Sequence, residues 1–346
     1  MALHLVTGGC GYLGSFIARA LARRGERVRC VDVIREESNH PLIENVVGDV
    51  LDPNCMRTVM RGVEFVHHNA ALVPLRKAGN AFARVNIEGT RVTLKAAREE
   101  GVRHFSHMSS SAVYGKVESS MCPLRSDITP APVEIYGRSK LEGERLVLSE
   151  AGISGMTCSV IRPRTIVGTE RLGIFQILFE WISEGRSIYV IGDGSNPFQF
   201  AHVDDLVEVS IETAIRGVSG VFNIGTDRFG TLKESLTSLC DFADTGSRVR
   251  GVPVPVATSA LWVADKLGLS PLAPWHYLTY HKPFYFDLTN EFRHLHWRPK
   301  YSNSEMLAAS YRWYLDNLPR LKHASMSSAH RGTLKQGVIG LLKKIS

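Results

Sequence analysis

The chain has 346 residues, 44% of them hydrophobic and 22% charged, and a formal net charge of +7 at pH 7. This length allows one large core or a core with a smaller lobe, and the composition is that of a globular protein. No apolar run approaches the roughly twenty residues that a membrane-spanning helix needs. No nucleic-acid-binding motif accompanies the positive charge, so integral membrane proteins and nucleic-acid-binding proteins are both disfavoured.

The cellular location is indicated by the N-terminus and by the cysteines. The first predicted strand begins almost at once, which leaves no room for a signal peptide. The six cysteines show no metal-like pairing along the sequence. Because such thiols are typical of a reducing compartment, we expect a cytoplasmic protein.

The N-terminal segment predicts a buried strand that leads into a nucleotide-binding turn. Residues 3–7 form a short apolar run, residues 8–14 read Gly-Gly-Cys-Gly-Tyr-Leu-Gly, and residues 15–22 continue at helical spacing. Glycines in such a turn allow a sharp bend, a close approach to a pyrophosphate and close packing of the helix on the strand. The helix N-terminus then offers unpaired N–H groups to the phosphates.

A second predicted strand, 28–31, is followed by Asp32, and this residue indicates which dinucleotide binds. A carboxylate at that place accepts hydrogen bonds from both ribose hydroxyls and would repel a 2′-phosphate. Asp32 therefore favours NAD over NADP. Arg35 lies close by in the sequence, so NADP stays open as an alternative.

Strands and helices continue to alternate through the first half of the chain. Such alternation predicts a parallel sheet covered by helices on both faces, the doubly wound, Rossmann-type α/β architecture. Further strands are predicted at 46–49, 64–68, 102–108 and 157–161, and helices at 54–61, 82–99 and 136–151.

Beyond residue 161 the alternation loosens, because glycines, prolines and short helical stretches interrupt it. We predict a smaller C-terminal substrate-binding lobe that is interwoven with the first domain. The predicted domains are 1–165 for dinucleotide binding, 166–318 for the lobe and 319–346 for a basic tail. Helices are predicted in the lobe at 174–184, 204–215, 231–243, 256–267 and 303–317.

The tail carries one further signal, an amphipathic pattern over residues 333–345. Its leucine, valine and isoleucine residues fall on one helical face, and its lysines lie toward the other. This pattern is typical of a helix in peripheral contact with the inner, anionic face of a membrane, and equally of a terminal helix docked on its own protein.

The segment 136–140, Tyr-Gly-Arg-Ser-Lys, carries the strongest catalytic signal. Tyr136 and Lys140 share one face of a predicted helix. A lysine ammonium beside a phenol stabilises the phenolate, and an oxidised nicotinamide adds to this effect, so that Tyr136 becomes a usable proton donor or acceptor. A third polar group has to orient the substrate oxygen, and the serines 109–111 at the end of the fifth strand are placed to supply it.

Together these features resemble the extended short-chain dehydrogenase/reductases, the NAD-dependent epimerase/dehydratase family, over most of the chain. The resemblance implies hydride transfer between NAD and a secondary alcohol or ketone, and a homodimer formed through helices that flank the sheet. The matching segments are 7–14, Asp32, 48–50, 69–71, 109–115, 136–140, 162–163, 202–205 and 222–225.

The resemblance also implies roles for individual residues. It implies Ser110 as the catalytic hydroxyl, with Ser111 as the alternative, Tyr136 as the group that exchanges the proton, and Lys140 as a ligand of the nicotinamide ribose. The implied NAD contacts are Gly8, Gly11, Tyr12, Leu13 and Gly14 at the turn, Asp32 at the ribose, Asp49 and Val50 beside the adenine, and Ala70 and Ala71 along the cofactor path.

Two departures from the family narrow the reaction. Dehydratases of this family carry an Asp-Glu pair just after the catalytic hydroxyl, because the elimination of water needs its own acid and base. Ser111 and Ala112 stand at those places here. Decarboxylases of sugar acids carry a glutamate where Ala112 stands. Dehydration and decarboxylation of those kinds are therefore disfavoured.

The substrate side departs from the nucleotide-sugar enzymes of the family. Those enzymes hold the diphosphate with an asparagine and an arginine, and Thr165 and Phe198 occupy these places here. Arg164, Arg171 and Arg186 offer compensating charge, and the candidate substrate residues are Arg164, Thr165 and Phe198. The aromatic residues of the second half instead suit a pocket for a sterol-like alcohol, or belong to the core: Phe198, Trp262, Trp275, Tyr277 and Tyr280.

Three functions stay open for a small-molecule substrate. The leading hypothesis is a nucleotide-sugar or related sugar epimerase, and the alternative is a dehydrogenase of 3-hydroxysteroids or lipid ketones. A non-catalytic NAD-sensing scaffold is the third. We predict no metal site, because His67 and His68 are adjacent on a strand and point to opposite faces.

Overall fold

The computed structural model describes residues 1–36, 38, 40–73, 79, 81–153, 155–267, 277 and 279–323. Its largest element is a parallel sheet of seven strands, which confirms the predicted doubly wound α/β architecture. The strands of this sheet are β1 (Leu3–Thr7), β2 (Arg27–Asp32), β3 (Ile43–Val47), β4 (Phe65–His68), β5 (His104–Met108), β6 (Thr157–Pro163) and β10 (Gly220–Ile224). Their order across the sheet is β10-β6-β5-β4-β1-β2-β3.

Helices cover both faces of the sheet, because their apolar stripes need the strands as a packing partner. The main helices are α1 (Tyr12–Arg23), α2 (Pro53–Met60), α3 (Ala81–Ala83), α4 (Gly89–Glu99), α5 (Ile135–Glu150), α6 (Ile174–Ser183), α7 (Val203–Arg216), α8 (Leu232–Ala243), α9 (Val254–Lys266), α10 (Thr289–Leu295) and α11 (Asn303–His323). Helices α1 and α7 share one core with the sheet, which includes Ile17 and Leu206. Helices α2, α4 and α5 form a second core that includes Met56 and Val147.

The second half of the chain forms a lobe with its own apolar cluster. Two short parallel pairs belong to it, β7 (Thr165–Val167) with β9 (Phe200–His202), and β8 (Ile188–Ile191) with β11 (Val249–Val252). Helices α6, α8 and α11 pack together through residues that include Phe179. Strand β7 begins just after β6 ends, which attaches the lobe to the carboxyl end of that strand.

The two halves are interwoven through β10. This strand lies beyond the lobe's first elements in the chain, yet it pairs in parallel with β6, and Phe222 is in register with Ile161. Helix α7 packs beneath the same sheet. The sheet therefore draws on both sides of residue 165, and the domain boundary at that residue stays a prediction.

Several elements differ from the sequence predictions. Strand β3 spans Ile43–Val47 rather than 46–49, and α11 continues through Pro319 where the prediction ended at 317. The sequence did not predict strands β7 to β11 or helix α10, because segments of three to seven residues carry too few positions to show a hydrophobic period. A π-helical turn over Arg84–Glu88 interrupts the predicted helix 82–99.

Two sequence predictions concern residues that the structure does not describe. Residues 333–345 and Trp275 lie outside the described residues. Among the helices that are described, none is long and apolar enough to cross a bilayer. The six cysteines, all of them described, form no disulfide.

Candidate active site

The glycine turn between β1 and α1 is fixed by close backbone contacts. Gly8 has a φ of +67°, a conformation that glycine adopts without strain, and a Cβ on it would lie 2.9 Å from the backbone nitrogen of Ala70. A Cβ on Gly14 would collide with the carbonyl oxygen of Gly8. Helix α1 begins at Tyr12 with Gly11 at its N-cap. The turn therefore leaves the first N–H groups of α1 facing an open edge of the sheet.

Asp32 ends β2 beside this turn. Its carboxylate accepts hydrogen bonds from the backbone N–H groups of Cys10 and Ile34, both at 3.1 Å. Because a carboxylate has about four lone-pair sites, it retains acceptor capacity toward the cleft that it lines. Arg35 is exposed and is not among the residues that line this cleft, so the arrangement favours a free 2′-hydroxyl.

One cleft of about 470 Å³, a volume in the range of small-molecule sites, runs along the carboxyl ends of the strands. It continues from the glycine turn past Ser110 and Tyr136 to the start of the lobe. The predicted residues that line it are Gly8, Gly11, Tyr12, Leu13, Gly14, Asp32, Asp49, Val50, Ala70, Ala71, Ser110, Ser111, Tyr136, Lys140, Arg164 and Thr165.

The structure separates the two candidate serines. The Ser110 hydroxyl lies beside the Tyr136 phenol, whose pKa it lowers, whereas the Ser111 hydroxyl accepts a hydrogen bond from Nη1 of Arg164 at 3.2 Å. Ser110 is the N-cap of a short 3₁₀ helix, and its Oγ accepts the N–H of Ala112 at 3.2 Å. This cap holds the Ser110 hydroxyl next to the phenol, and Ser111 faces the substrate side.

The charges around Tyr136 differ from the sequence expectation. Burial raises the pKa of Tyr136 above its ordinary value, and the hydrogen bond with Ser110 and the positive charge of Arg171 oppose that rise. The opposing cation is thus Arg171 and not Lys140. Burial lowers the pKa of Lys140 to about 8, and the negative charge of Glu144 opposes that decrease. The Nζ of Lys140 donates a hydrogen bond to the carbonyl oxygen of Met108 at 2.7 Å.

Asn86 supports the cleft wall, a role that sequence reasoning missed. It lies in the π-helical turn, and π turns of this kind are frequent at functional sites. Its amide accepts the N–H of Leu72 at 2.8 Å and donates to the carbonyl oxygen of Leu72 and to Ser139 Oγ. Asn86 therefore ties the segment after β4 to the helix that carries Tyr136. The only local signal would have been a polar residue on a buried helical face.

Four residues form the substrate side of the cleft: Arg164, Thr165, Arg171 and Tyr280, which we call the arginine wall. The Tyr280 hydroxyl lies 3.5 Å from Thr165 Oγ1. Burial raises the pKa of Tyr280, and the positive charges of both arginines oppose part of that rise. The two guanidinium groups therefore flank one phenol at the wall.

Phe198 lies behind the wall and does not line the cleft. It is 1% exposed, and its ring centroid lies 5.0 Å from Cζ of Arg164 and 5.2 Å from the ring of Tyr280. Arg186 and Trp262 are exposed away from the cleft, and Tyr277 is buried outside it. Of the aromatic residues that the sequence singled out, Tyr280 is the one that the structure places at the cleft surface among those described.

A buried ion pair lies beneath the catalytic segment. Arg162 and Glu144 are 4% and 1% exposed and form a two-pronged contact, with distances of 2.6 and 2.9 Å. Glu144 also accepts the hydroxyl of Ser109 at 2.5 Å, and Arg162 donates to the Tyr114 hydroxyl at 2.9 Å. This network joins β6 to α5 and fixes the strand end from which Ser110 emerges.

The paired histidines belong to the sheet interior. His67 bonds to His4 and Ser210 on one face, and His68 bonds to Thr7 and Thr90 on the other, as the alternation of a strand predicts. The described residues contain no group of three histidine, cysteine or acidic side chains arranged to hold a metal ion.

Comparison with known proteins identifies the family behind this geometry. The model of the NAD dependent epimerase/dehydratase family matches residues 4–225, more than half of the chain. The chain belongs to this family. As a member of the NAD dependent epimerase/dehydratase family it is an enzyme of the extended short-chain dehydrogenase/reductase type, and NAD is its cofactor.

Relatives within the family differ in what they are named for. The chain is 38% identical over 339 residues to the uncharacterized protein y4nG of Sinorhizobium fredii. The aligned residues make up 98% of this chain and 85% of y4nG. It is 31% identical over 215 residues to a 3 beta-hydroxysteroid dehydrogenase/Delta 5-->4-isomerase of Mycobacterium tuberculosis, covering 59% of this chain but only 57% of that enzyme. The UDP-glucose 4-epimerase of Thermotoga maritima, crystallised with UDP-glucose, superposes on this chain with a TM-score of 0.76. The superposition covers 91% of this chain and 99% of the epimerase at 24% sequence identity, and it shows a shared fold.

The residues of this family member fit its dinucleotide. A side chain at Gly8 would press on the backbone at Ala70, so the open space at the turn depends on glycine. Asp32 supplies a carboxylate at the end of β2, and the first turn of α1 supplies N–H groups for a pyrophosphate. A cleft that is open at the glycine turn and polar at Tyr136 suits a cofactor with a diphosphate at one end and a reactive ring at the other.

Proposed function

We propose that this enzyme transfers hydride between NAD and a carbon of a secondary alcohol in a sugar or nucleotide sugar, with Ser110, Tyr136 and Lys140 as catalytic residues, and that it acts as an epimerase. The proximity of the Ser110 hydroxyl to the Tyr136 phenol, in the middle of the cleft, carries this proposal. An oxygen of a substrate placed there meets two hydroxyl groups at once, one to orient it and one to exchange its proton.

The proposed roles follow from the surroundings of each residue. Ser110, held by the N–H of Ala112, orients the substrate oxygen. Tyr136 takes the proton of the alcohol and returns it when the ketone is reduced on its opposite face, as an epimerase requires. Lys140, fixed by the Met108 carbonyl oxygen, binds the cofactor ribose. Bound NAD would supply the hydride acceptor and, as NADH, the hydride donor for the opposite face of the ketone, and its oxidised ring would add a positive charge near a phenol whose pKa burial raises.

The arginine wall supports a sugar rather than a sterol as substrate. It presents two guanidinium groups and two hydroxyl groups where the substrate has to lie. A polyhydroxylated substrate offers hydrogen-bond partners to such groups, whereas a sterol ring system would remove water from them and offer none.

A second candidate function is a dehydrogenase of 3-hydroxysteroids. The relative from Mycobacterium tuberculosis, named for that activity, favours it. Nucleotide-sugar enzymes of the family carry an asparagine and an arginine where this chain has Thr165 and the buried Phe198. This difference also favours the second candidate. This candidate uses the same catalytic residues and differs in releasing a ketone and NADH.

A substrate panel separates the two candidates. The purified protein is first examined for retained NAD(H), then incubated with NAD and UDP-glucose, UDP-glucuronic acid or a 3β-hydroxysteroid, and followed by NADH absorbance and by NMR of the product. We expect one sugar to be converted to its epimer without net NADH. Steady NADH formation from the steroid alone would replace the proposal with the second candidate.

Tyr136→Phe tests the catalytic assignment. We expect turnover to fall by at least about a hundredfold, because the variant has no proton to exchange, while the affinity for NAD changes little. Tyr311→Phe is the matched control, since Tyr311 is buried in the lobe core away from the cleft. Equal turnover in Tyr136→Phe and Tyr311→Phe would remove Tyr136 from the mechanism.

A further inference from the structure

Arg164 is a buried cation without a counter-charge. Arg164 is 3% exposed, and its Nη1 donates a hydrogen bond to Ser111 Oγ. Its Nε is buried with no acceptor, and no carboxylate of the described residues forms an ion pair with it. Burial lowers the pKa of Arg164 to about 10, and the guanidinium stays charged at neutral pH. Such an arrangement is unfavourable in the protein alone.

Two aromatic rings hold this guanidinium in place. Its Cζ lies 3.9 Å from the ring centroid of Phe284 and 5.0 Å from that of Phe198. The backbone N–H of Arg164 also bonds to the Ile224 carbonyl oxygen at 2.9 Å, next to the central sheet. The group is therefore pre-oriented by its neighbours, which is what a binding residue needs and what a poorly accommodated residue lacks.

Strand β6, which ends just before Arg164, contains a buried arginine that has a counter-charge. Arg162 lies two residues earlier, is equally buried, and has Glu144 as its ion-pair partner. Arg162 contacts the network under the strand, whereas Arg164 lines the cleft. The difference between the two points to a partner for Arg164 that comes from outside the chain.

Arg164 also lies close to the reacting oxygen. It donates to Ser111, the neighbour of Ser110, and successive Cα atoms are about 3.8 Å apart. Arg171 adds a second positive charge that reaches both Tyr136 and Tyr280. The cationic part of the wall therefore lies in the same cleft as the hydroxyl groups of the catalytic pair.

We propose that Arg164 binds an oxyanion of the substrate, a carboxylate or a phosphate ester, at the end of the cleft that lies beyond Ser110 and Tyr136 from the glycine turn. The planar guanidinium matches the two oxygens of either group, and its hydrogen bonds to them replace the missing counter-charge. The inference rests on the proposed function, because it takes Ser110 and Tyr136 as the reacting end of the cleft. It makes Arg164 a specificity-determining residue that selects against neutral sterols.

Matched probes test this proposal by binding rather than by turnover. With NAD at saturation, titration calorimetry compares methyl glucoside with glucuronate and with glucose 1-phosphate, and a neutral 3β-hydroxysteroid with its carboxylic acid. We expect at least one anionic probe to bind about tenfold or more tightly than its neutral match, since a charged hydrogen-bonded pair contributes that much. The carboxylate and phosphate arms distinguish the two sources of the anion.

Two substitutions decide whether Arg164 is responsible. Arg164→Met should abolish the preference for the anion and leave the affinity for NAD unchanged, and Arg164→Lys should restore part of it, because the charge returns without the planar fork. Tyr136→Phe should keep the preference, so a failure of the proposed chemistry is distinguishable from a failure of this inference. Equal binding of neutral and anionic probes, or a preference that survives Arg164→Met, would overturn it.

Discussion

Two buried polar regions of this enzyme differ in whether their groups are paired within the chain. In the sheet interior, Arg162 meets Glu144 and most histidines meet a neighbouring side chain. In the arginine wall, Arg164 is equally buried and its Nε has no acceptor among the described residues. In the first region the buried charges are paired within the chain and hold the strands together, although both ring nitrogens of the neutral His107 have no partner. The second region is unfavourable until a ligand arrives, and unsatisfied groups of this kind mark a binding site.

Acidification should disturb the sheet interior most. Burial lowers the pKa of His4 and His104 to about 4 and that of His68 to about 3. It also holds the pKa of His67 and His107 well below the ordinary value of 6.5. Because these rings are neutral in the folded protein and take up protons near 6.5 when it unfolds, their stabilisation is present above that pH and is lost as the pH falls toward 4.

The expected loss is roughly 2 kcal/mol per histidine at pH 5 relative to pH 7. Asp205, whose pKa burial raises to about 7, and Glu291, whose pKa burial also raises, act in the opposite direction but are fewer. Urea unfolding between pH 7 and pH 5 measures the net effect. His104→Gln should make the decline shallower, since an amide still bonds to Thr157 and Ser159 but does not titrate. Stability that is flat over this range would contradict the account.

Arg162→Met should be the most damaging single change near the cleft. It leaves Glu144 buried and unpaired, and breaking one side of a buried pair costs about 3–5 kcal/mol. Urea unfolding at pH 7 measures the loss. Replacement of both partners, Arg162→Met with Glu144→Leu, should recover part of it, because neither charge then remains. A loss under about 1 kcal/mol for Arg162→Met would show that the pair is not needed for stability.

Arg164→Met, the matched change in the arginine wall, should have the smallest effect on stability. We expect the free energy of unfolding to stay the same or to rise by about 1 kcal/mol, since the variant removes a buried charge that has no counter-charge in the chain. The same urea experiment at pH 7 measures it. A loss as large as that of Arg162→Met would mean that Arg164 is structural, and the contrast between the two regions would fail.

The cofactor half of the cleft was predictable from sequence because its chemistry is local. The glycines, Asp32 and the Tyr136–Lys140 spacing each act within one turn or one strand end, so their order along the chain reveals their use. Six strands of the central sheet followed from the alternation of strands and helices, whereas the seventh, β10, was not predicted. The π-helical turn at Arg84–Glu88 did not, because one extra residue per turn leaves no trace in an apolar pattern.

The substrate half was less predictable because its contacts join distant segments. The surroundings of Arg164 depend on Phe284 and Tyr280, more than a hundred residues along the chain. Phe198 was expected at the cleft and lies behind Arg164 instead, since aromatic residues next to a buried cation pack on its face. The charge that acts on Tyr136 likewise comes from Arg171, which no spacing rule connects to it.

A crystal structure of the protein with NAD tests the central claim most directly. The account predicts that the diphosphate lies on the N-terminus of α1, that Asp32 bonds to the adenine ribose, and that the nicotinamide lies against Tyr136 with Lys140 on its ribose. The space between the nicotinamide and Arg164 should then remain open for substrate. A nicotinamide bound away from Tyr136, or NAD occupying the arginine wall, would contradict it.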